Sequence, residues 1–107
     1  MGKHRTRLKI LANILSVVNE NKGVKRTQIM YQAYLSYHLL IRYLTDLTDA
    51  HLIVCKEDKT YSLTEKGEHF LNKFNKYCKN EEIINEQLKN ITNQRLLLNK
   101  MCPNLKE

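Results

Sequence analysis

The sequence predicts a mostly α-helical fold with one small β-hairpin, a winged helix-turn-helix followed by a long C-terminal coiled-coil helix. Three observations carry that expectation. Between Lys25 and Gly67, two short amphipathic runs meet at a corner and are followed by two β-prone tetrads around a polar turn. A capped helix start follows them. Beyond Gly67 the chain has no glycine or proline before Pro103, and its apolar side chains recur in a heptad rhythm. Two short helices, a hairpin and a helix start, in that order, are the parts of a winged helix-turn-helix, whose second short helix enters a DNA groove.

The first helix is expected over roughly residues 5–20, where Leu8, Leu11, Ala12, Leu15 and Val18 recur at helical spacing. Gly23, just past Asn21-Lys22, supplies a left-handed stop. A second helix starts near Arg26 or Thr27, contains Ile29, Met30 and Ala33, and closes at the Tyr34-Leu35 corner. Ser36 caps a third helix running to about Ala50, with Leu39, Tyr43, Leu44 and Leu47 as its inward stripe. Helical spacing also puts Tyr34 in the core. Helices this short do not stand alone in water, so both must pack on the first.

Ile53 to Lys56 and Thr60 to Leu63 are β-prone and flank the polar Glu57-Asp58-Lys59, which gives the wing hairpin. Thr64 caps the next helix, and Glu65 places a carboxylate where the helix dipole favours it. Gly67 inside that first turn costs about 1 kcal/mol of helix propensity relative to Ala, which points to close packing against the core there. From Thr64 to about Met101 a single helix would be roughly 55 Å long, too long to fold back on a domain of this size.

Phe70, Phe74, Tyr77, Glu81, Ile84, Leu88, Ile91, Arg95 and Leu98 alternate spacings of four and three, and seven of these nine are apolar. That is the seam of a coiled coil. Residues 1–66 are therefore expected to form a DNA-binding winged helix-turn-helix and residues 67–107 a helix that makes a homodimer, with the seam running from Phe74 to Leu98. In a parallel, in-register dimer Glu81 would face Glu81 and Arg95 would face Arg95. An antiparallel pair with its dyad near Leu88 instead brings Glu81 to within about a helical turn of the partner's Arg95.

Charge distribution points to the same function. The chain of 107 residues carries a net charge of +7. Residues 1–45 hold eight bases and one acid, and residues 46–107 hold ten of each. The whole excess lies on the segment with the two short helices, whereas solubilising charge spreads more evenly, so a polyanion is the expected partner.

Particular residues fit that partner. Lys25, Arg26 and Thr27 stand at the start of the second helix, where backbone N–H groups and the dipole favour a phosphate. Tyr37, His38, Ile41 and Arg42 point away from the inward stripe and form the groove-facing set, with Arg42 able to bond guanine or phosphate. Ile41 would touch a thymine methyl group or pack against the first helix. Lys56 and Lys59 flank the wing tip, where a base meets the DNA backbone or the minor-groove edge. Lys3, His4, Arg5 and Arg7 form a basic leader that could reach phosphate as an arm.

Catalytic and metal-binding constellations are not found. There is no glycine-rich phosphate loop, no HExxH and no nucleophile elbow. Asp46 and Asp49 share a helix face as ordinary surface charge does. Cys55, Cys78 and Cys102 are far apart and odd in number, and the four histidines lack zinc spacing, so neither a disulfide framework nor a metal or other cofactor is expected. No apolar run is long enough to span a membrane. An intracellular, cytoplasmic and nucleoid-associated protein is the resulting expectation.

Arg26-Thr27, Ile29-Met30-Tyr31, Leu35-Ser36-Tyr37, Arg42-Tyr43 and Leu63-Thr64-Glu65-Lys66-Gly67 together resemble the small archaeal winged-helix DNA-binding proteins, a chromatin-associated family that dimerises through a long antiparallel coiled coil. The likeness covers most of residues 8–91. It implies double-stranded DNA binding of low sequence specificity by a homodimer, with Lys25, Arg26, Thr27, Ser36, Tyr37 and Arg42 facing the duplex. Leu40 and Ile41 in the third helix, and the tail through Leu96-Leu97-Leu98 and Met101, depart from the family pattern. Other readings of the same residues are a transcriptional regulator with a preferred operator, or a coiled-coil interaction module whose winged helix does not bind DNA.

Overall fold

The computed structural model describes residues 5–104, so Lys3 and His4 of the basic leader lie outside the described residues. Helix α1 (Arg7–Asn21) starts where Thr6 Oγ1 accepts the Lys9 N–H at 3.1 Å. It buries Ala12, Ile14, Leu15, Val17 and Val18, whereas Leu8, expected on the same stripe, is exposed at the first turn. Lys22 and Gly23 then follow with φ of 30° and 81°. The left-handed stop expected from the glycine thus takes two residues, not one.

Strand β1 (Val24–Lys25) was not anticipated from the sequence, because two residues carry no periodicity. It leads directly into α2 (Arg26–Gln32), which buries Ile29. The Leu35 N–H reaches the Met30 carbonyl at 3.1 Å and Tyr34 takes φ of 55°, which turns the chain sharply. That conformation throws the Tyr34 side chain outward, 85% exposed. The expectation of Tyr34 in the core is therefore corrected.

Helix α3 (Tyr37–Asp49) begins as expected, with Ser36 Oγ accepting the Leu39 N–H at 3.3 Å. Its buried stripe is Leu40, Leu44 and Leu47, spaced four and three apart, with Tyr43 packed at its margin. Leu39 lies on the flank and is exposed, so the inward face is rotated by one residue from the expected one. Either leucine satisfies a helical template, and only the docking angle on α1 and α2 decides between them.

Strands β2 (Ile53–Cys55) and β3 (Thr60–Leu63) form the wing, and β1 adds to β3, giving an antiparallel sheet of order β1-β3-β2. Val24 pairs with Tyr61 and Lys25 with Thr60 on one edge, while Ile53 pairs with Leu63 and Cys55 with Tyr61 on the other. In the turn, Asp58 Oδ1 accepts both the Thr60 N–H at 3.1 Å and the Thr60 hydroxyl at 2.6 Å. These two bonds hold the Asp58 carboxyl below its ordinary pKa. Lys59 completes the turn at φ of 66°.

Helix α4 (Glu65–Met101) runs without interruption for 37 residues, close to the extent expected. Its start is tied to the hairpin base. Thr64 Oγ1 accepts the Gly67 N–H at 3.0 Å and donates toward the carbonyls of His51 and Leu52, and the Thr64 N–H bonds the Leu52 carbonyl at 3.1 Å. Lys66 Nζ donates to the Ala50 carbonyl at 2.8 Å, which supports the C-terminal end of α3.

The core of the head joins Ile14 and Leu15 of α1, Ile29 of α2, Leu40 and Leu47 of α3, Ile53 of β2 and Leu71 of α4. Phe70 and Phe74 pack against it, so the compact unit extends through Phe74 and a second unit begins at Asn75. In that second unit Ile84, Leu88, Ile91 and Leu98 are all about three-fifths exposed. Tyr77 donates to Glu81 Oε2 at 3.0 Å, one turn on, and this bond to a carboxylate raises the Tyr77 pKa.

Gly67 shows why a poor helix former stands in the first turn of α4. A Cβ there would overlap the Leu52 carbonyl oxygen and stand 3.0 Å from Leu63 Cγ. Helix propensity alone makes Gly67→Ala stabilising by about 1 kcal/mol. Overpacking against backbone reverses the sign, and we expect a loss of about 2–3 kcal/mol, read by chemical denaturation at fixed protein concentration. A stabilised variant would refute this account of the joint.

Candidate nucleic-acid interface

Strand β1 sets the start of α2 beside the wing. Because Val24 pairs with Tyr61, Arg26 emerges next to β3, and Tyr61, Cys55, Arg26, Ile41, Thr45 and Asp49 line one groove of about 320 Å³. Arg26 also spans the two short helices. Its Nη1 donates to the Tyr37 hydroxyl at 3.2 Å, and its guanidinium carbon stands 6.0 Å from the Tyr37 ring centroid.

Around that junction the sequence-derived residues take distinct places. Lys25 is exposed at the N-cap of α2, where no side chain caps the first turn, and Thr27 is exposed within that turn. Ser36 is exposed but its hydroxyl oxygen already holds the first turn of α3. His38 and Arg42 lie on the solvent side of α3, opposite Leu40 and Leu44. Tyr37 is 60% exposed. Lys56 and Lys59 are exposed at the wing turn.

Ile41 differs from the rest of its set. It is half-buried and faces the groove toward the sheet, not α1. Thr45, Cys55 and Tyr61 were not singled out in the sequence, and they join it there. Thr45 and Ile41 share a face at i and i+4, a signal that was available; the hairpin that carries Tyr61 and Cys55 was legible too, but its placement against Arg26 and α3 depends on tertiary packing, for which the sequence holds no local sign. Burial, with the neighbouring Cys55 thiol, pushes the Tyr61 hydroxyl pKa up, and Arg26 partly offsets it.

The two described arginines of the basic leader have partners within the head. Arg5 donates from Nη1 to the Ala33 carbonyl at 2.8 Å and from Nη2 to the Tyr34 carbonyl at 3.0 Å. Arg7 pairs with Asp46 at 2.7 Å and lies 6.0 Å from the Tyr43 ring centroid. Arg7 at the start of α1 and Arg5 just before it therefore both link this end of the chain to the helix-turn-helix. Such long-range partners are invisible in a linear sequence.

Among the described residues, no group of three His, Cys, Asp or Glu side chains is placed to hold a metal ion, and no helix is long and apolar enough to cross a membrane.

Comparison with known proteins agrees with this geometry. A model of the winged helix-turn-helix family matches residues 4–82. An uncharacterised protein of Methanocaldococcus jannaschii is 41% identical over 69 residues, a match covering 64% of this chain and 32% of that protein. The chain thus spans about a third of that relative's length. Sso10a-2, a DNA-binding protein from Sulfolobus solfataricus, superposes with a TM-score of 0.72 over 84% of this chain and 96% of that one, at 21% identity. The transcriptional regulator SlyA superposes at 0.63 over 89% and 74% with 18% identity, and the repressor CouR bound to p-coumaroyl-CoA at 0.63 over 95% and 76% with 20% identity. At these identities the likeness is one of fold.

The two roles open to Arg5 separate experimentally. Arg5→Ala removes two charge-assisted bonds at a partly buried corner and is expected to cost about 1–2 kcal/mol of head stability. The salt dependence of any DNA binding should stay as in the parent chain. A shallower salt slope with undiminished stability would return Arg5 to the role of a phosphate-binding arm.

Proposed function

We propose that this chain, which belongs to the winged helix-turn-helix family, is a homodimeric, non-enzymatic protein that binds duplex DNA with low sequence specificity, in a nucleoid-type role. The supporting observation is the junction of α2, α3 and the wing around Arg26 and Tyr37, with Lys25, Arg26, Arg42, Lys56 and Lys59 exposed on those three elements. Phosphate contacts from these bases position the head and supply most of the affinity. Tyr37, whose hydroxyl is held by Arg26, offers a phosphate contact at the start of α3, and the solvent-facing His38 beside it meets the duplex. Thr27 and Ser36 add short polar contacts to the backbone. Low specificity fits a groove-facing helix in which Arg42 is the one side chain suited to bidentate reading of a base.

The dimer forms through the tail, with Tyr77, Glu81, Ile84, Leu88, Ile91, Arg95 and Leu98 as the seam and Phe74 at its head-proximal end. The exposure of Ile84, Leu88, Ile91 and Leu98 in the single chain supports this reading, since a contiguous apolar stripe of that length calls for a partner. An antiparallel arrangement lets Glu81 and Arg95 neutralise each other across the pair.

Two measurements test these claims. With four phosphates engaged per head, affinity for a random duplex should fall about a hundredfold for each engaged head between roughly 50 and 200 mM salt. Arg26→Ala with Arg42→Ala should weaken binding to every sequence and lower the salt slope by about two units; retention of full affinity in that variant would defeat the proposal. For strand direction, Glu81→Lys should weaken the dimer and Glu81→Lys with Arg95→Glu should restore it, as measured by sedimentation. A parallel, in-register coil gives no such rescue.

A further inference from the structure

The tail carries a surface that a two-helix seam leaves unused. With Tyr77, Ile84, Ile91 and Leu98 at heptad position d and Glu81, Leu88 and Arg95 at a, the flanking e and g positions from Cys78 to Met101 hold no charged residue. Asparagine, glutamine and threonine fill them, with Cys78 and Met101 at the ends. In two-stranded coils these flanks are commonly Glu and Lys, which pair across the interface and shield the seam with their stems. Here Lys79, Glu82, Glu86, Lys89 and Lys100, the remaining charges of this stretch, all fall at b and f, the outermost positions.

On the g side the apolar surface widens further. Ile83 and Leu97 occupy position c and are 56% and 59% exposed, and Met101 at g is 73% exposed. Gln87, Asn90 and Gln94 lie between them. The result is a face about 18 residues long without a formal charge, continuous with the seam. The opposite flank has Leu96 alone.

We propose that two dimers associate side by side through this g and c face, giving a tetramer whose tails form a four-helix bundle. The inference rests on the dimer reading above. In an antiparallel pair the g positions of both helices lie on one side, and a dyad near Leu88 brings Ile83 to within about one turn of the partner's Leu97. The composite face is therefore two-fold symmetric, and being apolar and uncharged it can meet the same face of a second dimer in an isologous contact without opposing like charges. It carries no charge to recognise an acidic or basic segment of another protein. Its amides can hydrogen-bond one another when buried, which is far less costly than burying charges.

Sedimentation equilibrium of the full chain without DNA, over a wide concentration range, tests this. The parent should reach the mass of four chains at the top of the range and two on dilution. Ile83→Lys with Leu97→Lys, and the milder Ile83→Gln with Leu97→Gln, should hold the mass at two chains throughout, with helix content by circular dichroism unchanged. Leu88→Lys in the seam should give one chain. A parent that stays at two chains, or paired variants that still reach four, overturns the tetramer and leaves the dimer intact. A parent at one chain throughout removes the dimer reading, and the tetramer with it.

Discussion

The Leu52 carbonyl is the point on which the head depends. It accepts the Thr64 N–H and hydroxyl, and it sits where only a glycine at position 67 leaves room. Through Thr64 the same contact caps α4 and closes the wing strand β3, so the sheet, the base of the hairpin and the start of the long helix are fixed together. Leu71, one turn beyond Gly67, can then reach the core. A helix propensity penalty of about 1 kcal/mol is thereby offset by a joint that no other residue type would permit. It is a backbone constraint first and a packing one second.

A second, smaller constraint sets the candidate interface. Strand β1 has only two residues, yet its pairing with Thr60 and Tyr61 decides where α2 begins. Without it, Arg26 would have no reason to stand over the wing strand or to meet Tyr37. The interface is thus assembled from three elements that are each too short to hold shape alone. Its geometry is inherited from the sheet and the core beneath.

Much of this was legible in the sequence, for a physical reason. Amphipathic period, the glycine at 23, the caps at Ser36 and Thr64 and the polar turn at 57–59 are local signals, and each element they imply is present. What failed depended on tertiary geometry. Leu39 and Leu40 fit a helical stripe equally well, and the docking of α3 chose Leu40. Tyr34 looked like core until its left-handed backbone turned it outward. Arg5 and Arg7 read as a free arm, whereas their partners lie 28 or more positions away. Likewise Ile41 entered the groove with Tyr61 and Cys55 because β2 and β3 carry those residues to it.

The fate of those arginines refines what the net charge means. Of the eight bases in residues 1–45, Arg5 bonds two carbonyls and Arg7 faces Asp46. Their charges still add to the field that draws a polyanion toward the head, since a field sums over all charges regardless of contacts. Positioning a duplex requires side chains within reach of phosphate, and under the proposed function that narrower role is assigned to Lys25, Arg26 and Arg42 with the wing lysines. The exposed Arg7–Asp46 pair contributes at most about 1 kcal/mol to stability, and it links α1 to α3 at the rim of a core that already sets their separation. The basic half of the chain therefore divides its charges between bracing the helix-turn-helix and leaving a smaller, addressable set on its outer surface.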